Sequence, residues 1–147
     1  QMSVLQWYLL DNAVSKRLAS RILDNAQYVI DEQRRTPPEE MVELLQQVSV
    51  PLKMELSFEI YSRWLCLHPF FKAYLQFNPS GMRQVCFNAV TRITASPGDV
   101  LFSPGEIQED PKMFFVMSGS FIYTASGGPR KLASHSWLNE AVLWLSS

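Results

Sequence analysis

Apolar residues recur at Val14, Leu18, Ile22, Ala26 and then Val29 or Ile30, the spacing that gathers one face of an α-helix over about residues 13–33. Lys16, Arg17, Arg21, Asp24 and Glu32 occupy the remaining positions and predict a solvated outer face. Thr36-Pro37-Pro38-Glu39 carries the signature of a second helix start: a capping threonine, a proline for the first turn and a glutamate placed for a capping box. A shorter helix through Leu44, Leu45 and Val48 is expected after it. Ser49 and Pro51 open the next, whose stripe Leu52, Leu56, Ile60 and Trp64 runs until His68-Pro69. Asn78-Pro79 repeats the pairing of cap and proline ahead of Met82, Val85, Cys86, Ala89 and Val90.

Past that helix the pattern changes from helical spacing to short β-rich runs. These are Ile93 to Ala95, Val100 to Phe102, Met113 to Met117 and Phe121 to Thr124, separated by Pro97-Gly98-Asp99, Pro104-Gly105, Ser118-Gly119 and Gly127-Gly128-Pro129. A Pro-Gly pair favours a type II turn, because proline presets the first central φ and glycine accepts the positive φ of the second. Helices first and strands afterwards predict an α+β chain with the helices segregated from an antiparallel roll or barrel. The last stretch, residues 137–144, reads as a short helix entered from a strand. Asn139 is its expected cap, which leaves the backbone N–H groups of Glu140, Ala141 and Val142 at the helix start, where an anion could be held.

Composition narrows the function classes. The 147 residues suit one ordinary domain, and 47% hydrophobic with 12% aromatic content supplies a packed interior. A formal charge of -1 argues against a broad nucleic-acid footprint. The two cysteines, Cys66 and Cys86, are too few for a disulfide framework and read as thiols in a reducing compartment. The apolar opening from Val4 to Leu10 is far too short to cross a bilayer. With a first residue Gln1 and a last residue Ser147 just past an apolar run, the chain reads as a window onto a longer protein.

Phosphate loops, dinucleotide fingerprints, zinc-protease motifs and C-x-x-C pairs are missing from the sequence, and its two histidines, His68 and His135, are too few for a histidine-rich metal site. Ser118 and Ser120 lack a nucleophile elbow. The chain therefore reads as a non-enzyme, with no catalytic and no metal-ligating residues. His68, before a proline at a helix end, reads as a capping or packed histidine. Trp64, Phe70, Phe71, Tyr74 and Phe77 read as core rather than as a partner groove.

Four sequence elements in order carry a resemblance: Ser96-Pro97-Gly98-Asp99-Val100-Leu101-Phe102, Gly105-Glu106, Met113-Phe114-Phe115-Val116-Met117-Ser118-Gly119 and Leu138-Asn139-Glu140-Ala141. Together they resemble the cyclic nucleotide-binding domain family, over roughly Phe70 to the end of the chain. Leu18-Ala19-Ser20-Arg21-Ile22 with Tyr28, the Pro-Glu-Glu segment and Val48 to Leu56 resemble the C-linker that joins pore to ligand domain in cyclic-nucleotide-gated and related voltage-gated potassium channels. Leu67-His68-Pro69-Phe70-Phe71 resembles the short apolar lead-in to the binding domain.

The resemblance implies a helical C-linker-like segment over residues 1–68 and the first part of an antiparallel β-roll, or jelly roll, over 69–147. It implies no resident cofactor, cAMP or cGMP as ligand, and other protein chains as partners, as in a homo-tetramer assembled through the linker. It also implies a place in the cytoplasm or on the cytoplasmic face of a membrane, reached only through segments outside this chain. By the same resemblance Asn139, Glu140 and Ala141 form the ligand-binding set. Glu140 would accept the ribose 2'-hydroxyl and the Ala141 N–H would face the phosphate. The plain reading of these residues is structural: Glu140 favours a first helical turn and Asn139 caps it.

Two departures from the family pattern bear on affinity. Asn139 stands where the family has glycine, and the family's phosphate-binding arginine, several residues after the glutamate, has no counterpart before Ser147; Arg130 and Lys131 lie in the preceding turn and strand. A charge-assisted bond of that kind contributes roughly 1.5–3 kcal/mol, about ten- to a hundredfold in affinity, so the chain as it stands is expected to bind nucleotide weakly. The alternative expectation is a ligand-free fold that works by docking helices or partner chains.

Overall fold

The structure is a computed structural model that describes residues 1–37, 42–106, 108–125 and 127–144, with the backbone alone at Ala125. It is a mixed helical and antiparallel-strand fold, in agreement with the α+β expectation. The chain divides into two compact units, Gln1–Val48 with Arg92–Glu106 and Ser49–Thr91 with Ile107–Ser147.

In the first unit, α1 (Met2–Asp11) and α2 (Lys16–Arg35) pack together, and α3 (Glu43–Gln47) follows. α2 matches the expected periodicity, and the Ser15 hydroxyl accepts the Leu18 N–H at its start. α1 arises from a stretch apolar on every side, whose lack of periodicity gave no helical signal; Leu9 is its one buried residue. The α1 end is a Schellman turn. Val14 N–H reaches the Leu9 carbonyl and Ala13 N–H the Leu10 carbonyl, with Ala13 at φ 50° where glycine is usual. Thr36 does not open a helix as expected: it closes α2, its N–H bonded to the Glu32 carbonyl. Glu39 of the expected capping box lies outside the described residues.

The expected strands Ile93–Ala95 and Val100–Phe102 are not strands. Their β-branched residues favour extended backbone, but a strand needs a ladder partner, and none is paired with them among the described residues. What forms there is a pair of matching turns. Ser96-Pro97-Gly98-Asp99 closes with Asp99 N–H on the Ser96 carbonyl and Gly98 at φ 89°, and Ser103-Pro104-Gly105-Glu106 with Glu106 N–H on the Ser103 carbonyl and Gly105 at φ 80°. Both are the type II geometry that the Pro-Gly pairs predict.

In the second unit, α4 (Val50–Leu65), α5 (Pro69–Phe77) and α6 (Pro79–Asn88) form a helical layer in which α4 and α5 each pack on α6. Leu65, Phe71, Met82 and Cys86 make its buried centre, with Phe58, Tyr74, Leu75, Val85, Met113 and Phe115 packed around it. Burial pushes both thiols above the ordinary cysteine range. The aromatic segment is only partly core. Phe71 is buried and Trp64 and Tyr74 half-buried, but Phe70 is exposed and Phe77 is 90% exposed.

Asn78 closes α5 and opens α6. Its Oδ1 accepts the Gly81 N–H at 2.9 Å and its Nδ2 donates to the Tyr74 hydroxyl at 3.3 Å. A Cβ on Gly81 would run into Tyr74 Oη and the Asn78 amide, so this helical glycine is required by close approach rather than by its φ.

The strands form two pairs. β1 (Phe114–Phe115) lies antiparallel to β4 (Trp137–Leu138), with Phe114 opposite Leu138, and β2 (Ser120–Ala125) is antiparallel to β3 (Gly128–Ala133), with Phe121 opposite Leu132. The expected run Met113 to Met117 shortens to β1. Gly128-Pro129, expected as a separator, belongs to β3, where Pro129 sits opposite Thr124 at the end of a strand paired on one side, a position that tolerates its missing N–H. The described strands form two two-stranded antiparallel pairs.

Two exchanges with glycine are expected to act in opposite directions. Ala13→Gly relieves an L-residue at positive φ and raises stability by about 0.5–1 kcal/mol after the greater freedom of glycine in the unfolded chain is subtracted. Gly81→Ala gains up to about 1 kcal/mol of helix propensity yet displaces the Asn78 cap and the Tyr74 hydroxyl, for a net loss of about 1–2 kcal/mol. Urea denaturation followed by circular dichroism measures both.

Candidate functional site

The site is built on the turn that follows β4. Asn139 adopts the left-handed conformation, φ 62° and ψ 34°, which asparagine tolerates better than most residues. Its side chain does not cap the helix start as expected. The Asn139 Nδ2 donates to the Lys112 carbonyl at 2.8 Å and so ties the turn to the residues just before β1. Glu140–Leu143 then form a single 3-10 turn. Because the turn is 3-10, Val142 N–H bonds the Asn139 carbonyl. Of the three N–H groups expected to be open, that one is engaged within the turn. Ala141 and Glu140 are both exposed.

Glu140 is joined to two residues that its sequence neighbourhood does not announce as a set. Its Oε2 accepts Trp137 Nε1 at 2.9 Å and faces His68 Nε2 at 3.0 Å. His68 stands at the corner between α4 and α5 and its side chain is only 8% exposed, whereas that of Glu140 is 51% exposed. The other imidazole nitrogen, Nδ1, accepts the Phe70 N–H at 3.2 Å and caps α5. An acceptor at Nδ1 assigns the proton of the neutral ring to Nε2, so that His68 donates to the Glu140 carboxylate.

The hydrogen bond from His68, reinforced by that from Trp137, holds the Glu140 carboxyl below the usual glutamate range against a smaller opposing effect of desolvation. Aromatic edges frame the arrangement. The Trp137 ring meets His68 edge-on at 5.0 Å between centroids, and Trp144, just past the turn, meets Phe70 perpendicularly at 5.0 Å.

Chemically, the arrangement presents an oriented carboxylate. Oε2 is fixed by two donors, while Oε1 has no protein donor among the described residues and lies on a half-exposed side chain. A carboxylate so held accepts a hydrogen bond from an incoming hydroxyl with little reorganisation. The structure places Asn139, Glu140 and Ala141 together in one turn, as their adjacency requires; Arg130 and Lys131 lie exposed on β3. His68 and Trp137 are the additions. The His-Pro pair signalled the end of one helix and not the start of α5 that Nδ1 caps, and nothing local signalled a partner 72 residues away for Nε2. Among the described residues no three His, Cys, Asp or Glu side chains gather as a metal site would require.

The depressed carboxyl of Glu140 is linked to stability with a definite sign. Its contribution is present above the ordinary glutamate value of 4.5 and is lost as pH falls through the lower folded value. Carbon-detected NMR titration is expected to give Glu140 a midpoint below that of the exposed glutamates, and Trp137→Phe to move it back toward 4.5. A midpoint unmoved by Trp137→Phe would show that the indole does not hold the carboxylate. No family model, curated protein or solved structure matches this chain.

Proposed function

We propose that this chain is a regulatory module of the cyclic nucleotide-binding type, with cAMP or cGMP as ligand and the acidic turn at Glu140 as the ribose-recognising element. The observation that carries the reading is the carboxylate of Glu140, oriented through Oε2 by His68 and Trp137 while Oε1 stays accessible. A ribose 2'-hydroxyl donating to Oε1 would draw electron density from the bonds at Oε2. Through His68 that change reaches the cap of α5 directly, a physical route from ligand to helix. By the same reading the helical half acts as a C-linker of a gated potassium-channel-like protein, on its cytoplasmic side, and the chain is a non-enzyme. No helix of the described residues is long and apolar enough to cross a membrane.

A second reading is favoured by a different observation. Asn139 occupies the left-handed position with its side chain committed to Lys112, and the carboxylate is already served by two internal donors, so the turn is satisfied without ligand. The module would then be a nucleotide-binding homologue that docks helices or partner chains.

Calorimetric titration of the full-length protein with cAMP and with cGMP separates the two. The first reading expects saturable heat below millimolar ligand, weakened about tenfold or more in Glu140→Gln, because a charged acceptor becomes neutral. Absence of heat up to millimolar concentrations of either nucleotide overturns it in favour of the second.

A further inference from the structure

The two matching turns of the first unit differ in one respect that has chemical consequences. In the first, Ser96 is buried, 7% exposed, with its N–H on Asp99 Oδ2 at 2.8 Å. In the second, every residue from Ser103 to Glu106 is exposed, and the Ser103 N–H is held by Glu106 Oε2 at 2.9 Å. The Ser103 hydroxyl has no hydrogen-bond partner among the described residues. Proline at the next position confines Ser103 to extended backbone, the conformation in which a peptide lies across a kinase cleft, and presents an apolar ring with no N–H.

We propose that Ser103 is a phosphorylation site for a proline-directed serine kinase, and that its modification opens the Ser103–Glu106 turn. In the transfer, Ser103 Oγ attacks the γ-phosphorus of ATP. The new O–P bond replaces the bond to the bridging oxygen of the β-phosphate, ADP leaves, and the hydroxyl proton passes to the kinase base. The product carries about −1.5 to −2 charge at pH 7 on the residue whose own amide is bonded to a carboxylate. Two anions cannot share that short loop at low cost, so the Glu106 carboxylate leaves the Ser103 N–H. Ser96 is a control within the same chain: it has the same sequence context, but the residue is only 7% exposed, so a kinase reaches it less readily.

The test treats the purified full chain with a proline-directed kinase and magnesium ATP, followed by site-resolved mass spectrometry and amide NMR. Phosphate is expected on Ser103 at least about tenfold faster than on Ser96, because the buried residue is reached less readily. Ser103→Ala is expected to abolish the fast incorporation. The amide resonances of Ser103 and Glu106 are expected to move on phosphorylation, and Glu106→Gln to reduce the movement at residue 103. Equal incorporation at Ser96, or none at Ser103, overturns the site. Incorporation at Ser103 with the Glu106 amide unmoved overturns the opening of the turn.

Discussion

A single imidazole organises the second unit. His68 has two nitrogens and uses both: Nδ1 accepts the Phe70 N–H that would otherwise be an orphan at the start of α5, and Nε2 donates to Glu140. The two bonds enforce each other, since the acceptor role of Nδ1 requires the proton on Nε2. A charged ring would lose the cap, and the other neutral tautomer would lose both bonds. Burial of the ring against the edges of Trp137 and Phe71 holds it in the plane that serves both partners. The position of Glu140, and with it whatever the acidic turn recognises, therefore depends on how one helix begins.

The same economy appears at the next corner. Asn78 is the C-cap of one helix and the N-cap of the next, and its amide serves Gly81 with the oxygen and Tyr74 with the nitrogen. So short a connection leaves no slack for a side chain at Gly81. Both corners lie beside the buried centre made by Leu65, Phe71, Met82 and Cys86, and packing of α4 and α5 on α6 keeps the polar corners in register. Apolar burial supplies the bulk of the driving force, and the caps select the one arrangement in which the helix ends are satisfied.

Much of the helical architecture was legible because its signals are local. A cap and the N–H that it accepts lie within three residues of each other, as in Asn78 with Gly81, and the periodic stripe of α2 is a property of one segment. The Pro-Gly turns were legible for the same reason. Where the local signal is absent or ambiguous, sequence and structure part. α1 is apolar all round and showed no period, Thr36 carried a starting signal at a helix end, and residues 93–95 and 100–102 had β-forming side chains without a partner strand. Asn139 is expected from its neighbours to cap the turn, whereas the commitment of its amide to Lys112, 27 residues earlier, has no local signal.

Local signals fix the cap at Asn78, the positions of the Pro-Gly turns and the adjacency of Asn139, Glu140 and Ala141 in one short turn. These are consequences of backbone sterics and of hydrogen bonds closed within a few residues. Which strands pair, which aromatic rings are buried and that the carboxylate of Glu140 is held from the far side by His68 follow from long-range packing. A bond spanning 72 residues leaves no periodic or compositional trace in either partner; it exists because the packed helices bring α5 and the β4 turn to the same place.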